Sequence, residues 1–418
     1  MKNKYHIIVI GCQMNKSDSE RIATYLDDLG YSETDDKYGA ELVILVTCGV
    51  RQSAEDRVYG FAPRIKKENP DCKIILTGCL SKRKDVIRRL KSSVDLFLDI
   101  TDLPKLAEKL TLKTPKRYDD YLKILAKKKS QFSAFIPIGN GCDNFCSYCV
   151  VPYARGREVY RSSEDIVVEV EDLVSRGFKE INLIAQNVNS YKSGENDFAD
   201  LLAIVNDIQG DFRIRFITSH PKDMSDNLID VIAKCSKVCE HVHLPAQSGN
   251  NKVLEKMNRG YTIEHYKKLI DKIRKKIPDI AISTDIIVGF PGETKEQFDD
   301  TCKLFEYAEY DIAYISQYST RPGTAAEKMI DDVSKEDKRE REAKLIAIVQ
   351  KTALKNSENF LGKTIKVLIE GKNRKGELYG KTRTSKNVKC LGDDEMIGSI
   401  VSVKIDKVKD FGISGEVA

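Results

Sequence analysis

The sequence predicts a multidomain α/β protein. It would comprise an N-terminal parallel α/β domain of the Rossmann or flavodoxin kind, a central partial (β/α)6 barrel and a small C-terminal antiparallel β-barrel. Three observations carry that prediction. The chain has 418 residues, too many for one ordinary core. Short apolar runs alternate with helical patterns over most of its length, as in parallel sheets. Its C-terminal segment then switches to short alternating strands separated by glycines and lysines.

In the first region, residues 1–115, three apolar runs end alike: Ile7 to Cys12, Leu42 to Cys48 and Ile74 to Cys79. Each reads as a buried strand with its cysteine just past the C-terminal end. The cysteines fall 36 and 31 residues apart, about one βαβ unit each. In a doubly wound sheet such ends share the edge where ligands bind, so the three thiols can converge. A Lys-rich stretch, residues 113–129, reads as a solvated linker, with the linker proper at 116–130. The central domain, 131–333, shows strand-like runs at 132–138, 180–185, 213–218, 238–244, 280–288 and 311–317. Helical patterns between them include 164–175, closed by Gly177, and 294–307. Six units without a seventh predict an incomplete barrel. Ser334 N-caps a charged connecting helix over 334–358. Runs at 365–370, 377–382, 400–405 and 412–417 form the final domain, 359–418. From Phe360 onward it carries 12 Lys and Arg against 8 Asp and Glu, most of the chain's net charge of +5.

No apolar run approaches the ~20 residues needed to span a bilayer. The N-terminus lacks a signal-peptide pattern, so a cytoplasmic, reducing location is expected. There, 11 cysteines point to metal binding or catalysis more than to disulfides.

The strongest local signal is Gly141-Cys142-Asp-Asn-Phe-Cys146-Ser-Tyr-Cys149. Three thiolates in this C-x3-C-x2-C loop can hold three irons of a 4Fe–4S cube and leave the fourth open. The alternatives are zinc, which would want a fourth close Cys or His that does not follow, and buried free thiols. At these residues the sequence resembles the radical S-adenosylmethionine (SAM) superfamily, whose open iron chelates the amino and carboxylate groups of SAM. Tyr148 matches the position whose backbone approaches the adenine. Cys12, Cys48 and Cys79 alone are also compatible with core thiols. Together with the loop, however, Gly11-Cys-Gln-Met-Asn15, Thr47-Cys48 and Gly78-Cys79 resemble the methylthiotransferase family. Val46 departs from the Asn usual there before Thr-Cys.

That resemblance covers nearly the whole chain, including a segment similar to the RNA-binding TRAM domain. It implies a second 4Fe–4S cluster on Cys12, Cys48 and Cys79. Gln186-Asn-Val-Asn-Ser-Tyr191, Thr218-Ser-His-Pro221, Leu244-Pro-Ala-Gln-Ser-Gly249 and Asp285-Ile-Ile-Val-Gly-Phe-Pro-Gly-Glu293 look most like the group acting on N6-isopentenyladenosine at position 37 of tRNA. The implied chemistry uses SAM twice. One SAM is cleaved at Cys142, Cys146 and Cys149 to a 5′-deoxyadenosyl radical, which takes hydrogen from adenine C2. Another methylates sulfur on the second cluster, which then bonds to that carbon.

Gln186, Ser219, Gln247 and Asp285, at strand ends, line the rim where SAM would lie. The implied partners are the tRNA anticodon arm, an electron donor such as flavodoxin or ferredoxin, and an iron–sulfur carrier; no membrane is involved. Alternative targets are N6-threonylcarbamoyladenosine in tRNA or a ribosomal-protein aspartate, the latter disfavoured by the basic C-terminal domain. Arg155, Arg157 and Arg161, following the loop, stand to meet a phosphate or the SAM carboxylate, or to form surface salt bridges. Cys235 and Cys239 read as structural thiols. His220 falls at the barrel mouth without an assigned role.

Overall fold

A computed structural model describes residues 3–50, 52–113 and 118–418. The N-terminal sheet is wholly parallel. Its strands are β1 (Lys4–Val9), β2 (Ser32–Glu33), β3 (Leu42–Thr47), β4 (Lys73–Gly78) and β5 (Leu96–Leu98), in the flavodoxin-like order 2-1-3-4-5. β3 is buried along its whole length, which is why it reads as an unbroken apolar run. Apolar cores fill both faces of the sheet.

The helix Gln13–Asp28 is buried on both sides. Ile22 and Leu26 pack in the N-terminal core, while Asp18, Glu20 and Arg21 are buried against the central domain. There Asp18 pairs with Arg155 at 2.7 Å, and Glu169 gathers Arg161 at 2.6 Å, Lys128 at 3.2 Å and Arg21 at 4.0 Å. Arg155 and Arg161 are therefore interface ions, engaged within the protein. Arg157 alone makes a surface pair, with Asp143.

The solvated linker expected over 113–129 needs correction. Residues 114–117, and with them the boundary at 115, lie outside the described residues. Beyond them Tyr121, Leu122 and Ile124 fill the N-terminal core, and Lys128 is buried between Glu20 and Glu169. The apolar residues spaced among the lysines cover a face of the sheet that would otherwise meet water.

Six parallel strands follow in chain order around an open arc: β6 (Ser133–Pro137), β7 (Glu180–Ile184), β8 (Arg213–Ile217), β9 (His241–His243), β10 (Ala281–Val288) and β11 (Ile312–Gln317). They form two three-stranded ladders joined where Ile214 bridges Val238. The helices outside the arc start where the sequence signals them, on Ser162 and on a Thr294/Gln297 capping box. The helix Lys335–Glu358, capped by Ser334, lies along β11 and adds Leu345 and Val349 to the barrel core. Among the described residues no helix is long and apolar enough to cross a membrane.

The C-terminal segment closes into a five-stranded barrel of β12 (Thr364–Lys372), β13 (Leu378–Lys381), β14 (Asn387–Leu391), β15 (Ile400–Lys409) and β16 (Gly412–Val417). β14 has no counterpart among the expected runs. With it the count is odd, so a closed ring cannot be antiparallel throughout. The β14–β16 ladder runs parallel and the others antiparallel. The turn between β13 and β14 docks on the central barrel. Arg213 and Arg215 donate to the carbonyls of Lys381, Thr382 and Arg383. Arg383 returns to Glu240.

Candidate active site between two cysteine sets

Parallel pairing sets the ends of β1, β3 and β4 side by side, and with them Cys12, Cys48 and Cys79. Cys12 N-caps the helix Gln13–Asp28, whose first-turn amides favour a thiolate. A Cβ on Gly11 would lie 2.6 Å from that of Cys48, so only glycine allows the two loops this close. Asn15 accepts from Cys12 Sγ at 3.1 Å and donates to the Thr47 carbonyl at 2.8 Å. Polar anchoring of Thr47-Cys48 thus comes from Asn15, while Val46 is apolar core. The neighbouring Cys48 holds the Cys12 thiol below its ordinary range, and Cys12 in turn lifts Cys48 above its own.

The second set lies in the loop after β6. A short antiparallel pairing of Gly139–Asn140 with Val159–Tyr160 closes its base. Gly141 turns with φ +89°, and a Cβ there would collide with the Arg157 carbonyl. Its N–H donates to Gln186 Oε1 at 2.6 Å. Asn258 donates to the carbonyls of Asn144 and Phe145, and Ser147 is tied to Lys256 and Met257. Arg259 Nη1 donates to Cys146 Sγ at 3.3 Å. Burial pushes the Cys149 thiol up to about 12.

The two sets lie on neighbouring loops. The Cβ position of Gly49 lies 3.4 Å from both Cys79 Cβ and the Val150 side chain, so Gly49 touches both Cys79 and the residue after Cys149. Among the described residues no three His, Cys, Asp or Glu side chains gather around a single metal ion. Thiols that bind separate corners of a 4Fe–4S cube stand farther apart than the ligands of one ion, so the donor set suits a cube better than zinc. Cys72, Cys302 and Cys390 lie in apolar cores. Cys235 ends the helix Asp226–Lys234 and Cys239 lies beyond it, so their spacing aligns nothing.

Gln186, Ser219 and Gln247 follow the ends of β7, β8 and β9, whereas Asp285, expected at a strand end, lies mid-strand in β10 because that strand runs on to Val288. Tyr148 is half-buried and packs with Val253, Met257, Phe290 and Tyr318. Gln247, at φ +68°, bridges β10 by backbone bonds to Asp285 and Ile287. Asp285 meets His243 Nε2 at 3.2 Å. Ser219 Oγ, His220 Nε2 and Asn187 Oδ1 are buried without hydrogen-bond partners among the described residues. His220 Nδ1 accepts from the Lys222 amide, so neutral His220 presents an unpaired Nε2–H. Native proteins rarely leave such groups unpaired, and three of them beside one mouth indicate a polar ligand there. The sequence reading missed Asn15, Asn187, His243 and Arg259 as site residues. Asn15 and Asn187 stood within motifs it quoted, but nothing local marks Arg259, which reaches a cysteine 113 residues earlier.

Comparison with known proteins agrees with this architecture. The Radical SAM superfamily matches residues 136–305, Uncharacterized protein family UPF0004 matches 4–99 and the TRAM domain matches 358–418. The radical S-adenosylmethionine methyltransferase TsrM of Kitasatospora setae shares the fold, with a TM-score of 0.58 and 15% identity, covering 78% of this chain and 77% of that one. Proteins named tRNA-2-methylthio-N(6)-dimethylallyladenosine synthase are much more similar. The one from Thermoanaerobacter pseudethanolicus (strain ATCC 33223 / 39E) is 44% identical, covering 99% of this chain and 92% of its relative. One from Clostridium botulinum (strain Langeland / NCTC 10281 / Type F) is 42% identical, covering 99% and 96%. With that identity over almost its whole length, the chain belongs to the tRNA-2-methylthio-N(6)-dimethylallyladenosine synthase family.

Proposed function

We propose that the protein methylthiolates C2 of N6-isopentenyladenosine at position 37 of tRNA, as a radical SAM transferase. The observation that carries this reading is the pair of three-cysteine sets on neighbouring loops, with Gly49 touching both Cys79 and the residue after Cys149, in a chain of this family. Cys142, Cys146 and Cys149 would hold one 4Fe–4S cluster with SAM on its open iron, and Cys12, Cys48 and Cys79 the other. When bound, these groups supply the one-electron cleavage of SAM that removes hydrogen from C2, the sulfur, and from a second SAM the methyl group.

The chain's own residues bind and orient. Gly141, Ser147 and Asn258 shape the central loop. Tyr148, Gln186, Ser219, Gln247 and Asp285 form the SAM rim, and Asn187 and His220 offer further hydrogen bonds to what lies in the mouth. Asp18–Arg155 on one side, and Arg321 bonded to Gln52 and the Val50 carbonyl on the other, hold the N-terminal sheet over the barrel. Lys363, Lys366, Lys404 and Lys407 are exposed on the C-terminal barrel, with no carboxylate partner among the described residues, and suit the phosphates of an anticodon arm. On this reading the domains are 1–115, 131–333 and 359–418, with Tyr121, Leu122 and Ile124 packed onto the first. A flavodoxin- or ferredoxin-type donor and an iron–sulfur carrier complete the partners, in the cytoplasm.

The test is anaerobic incubation of reconstituted protein with SAM, a low-potential reductant and tRNA bearing isopentenyladenosine. The nucleosides are then read by mass spectrometry. The expected result is gain of a methylthio group on that nucleoside with release of 5′-deoxyadenosine. Methylthiolation of threonylcarbamoyladenosine or of a protein aspartate instead would move the target. Absence of 5′-deoxyadenosine would overturn the radical route.

A further inference from the structure

Among the described residues seven arginines are buried: Arg21, Arg155, Arg161, Arg213, Arg215, Arg259 and Arg321. Six of them have a carboxylate within 4.0 Å, namely Glu169 for Arg21 and Arg161, Asp18 for Arg155, Glu180 for Arg213 and Arg215, and Glu55 for Arg321. Arg259, only 5% exposed, has none. Its fork is spent on the Pro245 carbonyl at 3.0 Å, the Tyr261 hydroxyl at 3.2 Å and Cys146 Sγ at 3.3 Å. A buried cation without an anion costs several kcal/mol, so this position calls for negative charge from something other than the protein's carboxylates. Among the described residues the only group its donors reach that can carry negative charge in a cluster site is the sulfur of Cys146, as a thiolate.

We propose that Arg259 is the built-in counter-cation of the iron–sulfur centre held by Cys142, Cys146 and Cys149, and that it sets how readily that centre accepts an electron. The proposal rests on the reading of those thiols as cluster ligands. A fixed positive charge stabilises the reduced, more negative state more than the oxidised one, and an N–H···S bond withdraws charge from the sulfur; both raise the potential. Arg259 is thus a positioning residue that acts through Cys146. Arg259 makes no hydrogen bond to Cys12, Cys48 or Cys79, and the guanidinium near that other candidate centre, Arg155, is already paired with Asp18.

The test compares full-length wild type, Arg259→Gln and Arg259→Lys after anaerobic reconstitution, in iron content and in reductive titration followed by electron paramagnetic resonance. Each is also made with Cys12, Cys48 and Cys79 as alanine, so that one centre reports. Arg259→Gln is expected to keep its iron and to shift that centre's midpoint to a more negative potential. Arg259→Lys, which keeps the charge and loses the fork, should fall nearer to wild type. In a Cys142, Cys146 and Cys149 alanine background the N-terminal centre should not shift in either variant. An unmoved midpoint in Arg259→Gln overturns the proposal. So does equal loss of iron from both variants with circular dichroism unchanged, which would make the residue a strut for the loop. If Arg259→Gln does not fold, Arg259→Lys decides alone: a retained centre near the wild-type midpoint supports the counter-charge, and a lost or strongly shifted one overturns it. If the wild type binds no cluster on Cys142, Cys146 and Cys149, the underlying reading fails, and the iron count shows that before any titration.

Discussion

At Gly141 the backbone turns into a conformation that L-residues rarely adopt, with the Arg157 carbonyl where a Cβ would stand. A methyl there has to push the two sides of the cysteine loop apart. Gly141→Ala is therefore expected to fold but to hold roughly four irons instead of about eight, one cube of two, by iron and sulfide analysis. Asp18 and Arg155 make the complementary case. Both side chains are almost fully buried, so removing one charge strands the other. Asp18→Asn should lower stability by about 3–5 kcal/mol in urea denaturation.

At the scale of elements, Glu180 opens β7 and receives Arg213 and Arg215 from β8, both at 2.7 Å. The same guanidiniums hold the turn between β13 and β14, so one carboxylate organises the seat of the C-terminal barrel. Burial opposes the Glu180 charge, but Arg215 and Arg213 outweigh it and bring the group down to about 2. A depressed carboxylate stabilises the fold above its unfolded value of 4.5, and that contribution is lost as pH falls from there toward about 2. Limited proteolysis should therefore release the C-terminal barrel more readily on acidification across that window. Glu180→Gln should weaken the seat at neutral pH and flatten that dependence. The turn near residue 382 was not legible, because no run was expected where β14 pairs. Nor was its docking, because its partners lie about 170 residues earlier.

At the scale of the whole molecule, three bodies are fastened by buried ions and by backbone acceptors. The helix Gln13–Asp28 and the segment ending at Lys129 strap the N-terminal sheet to the barrel. The C-terminal barrel, seated at the opposite ends of the strands from the cysteine loop, presents its lysines outward. Charge reversal at Lys366, Lys404 and Lys407 is expected to weaken tRNA binding and to lower its salt slope by ~1 for each phosphate no longer held. Filter binding across a salt series reads this. Formation of 5′-deoxyadenosine without tRNA should be unchanged.

Local patterns in the chain were enough to set the elements and the cysteine positions. Apolar runs, Ser334 as a cap, and the cysteines at strand ends propagate into strands and helices without distant help. What those elements meet was settled only by folding. Two edge strands of two and three residues and β14 exist only because a neighbouring strand pairs with them. The lysine stretch is packed because Tyr121, Leu122 and Ile124 find an uncovered sheet face. Arg155 and Arg259 resemble any surface arginine in the sequence. Burial removes their water, so each takes the acceptor that folding brings to it, the Asp18 carboxylate in one case and the Cys146 sulfur in the other.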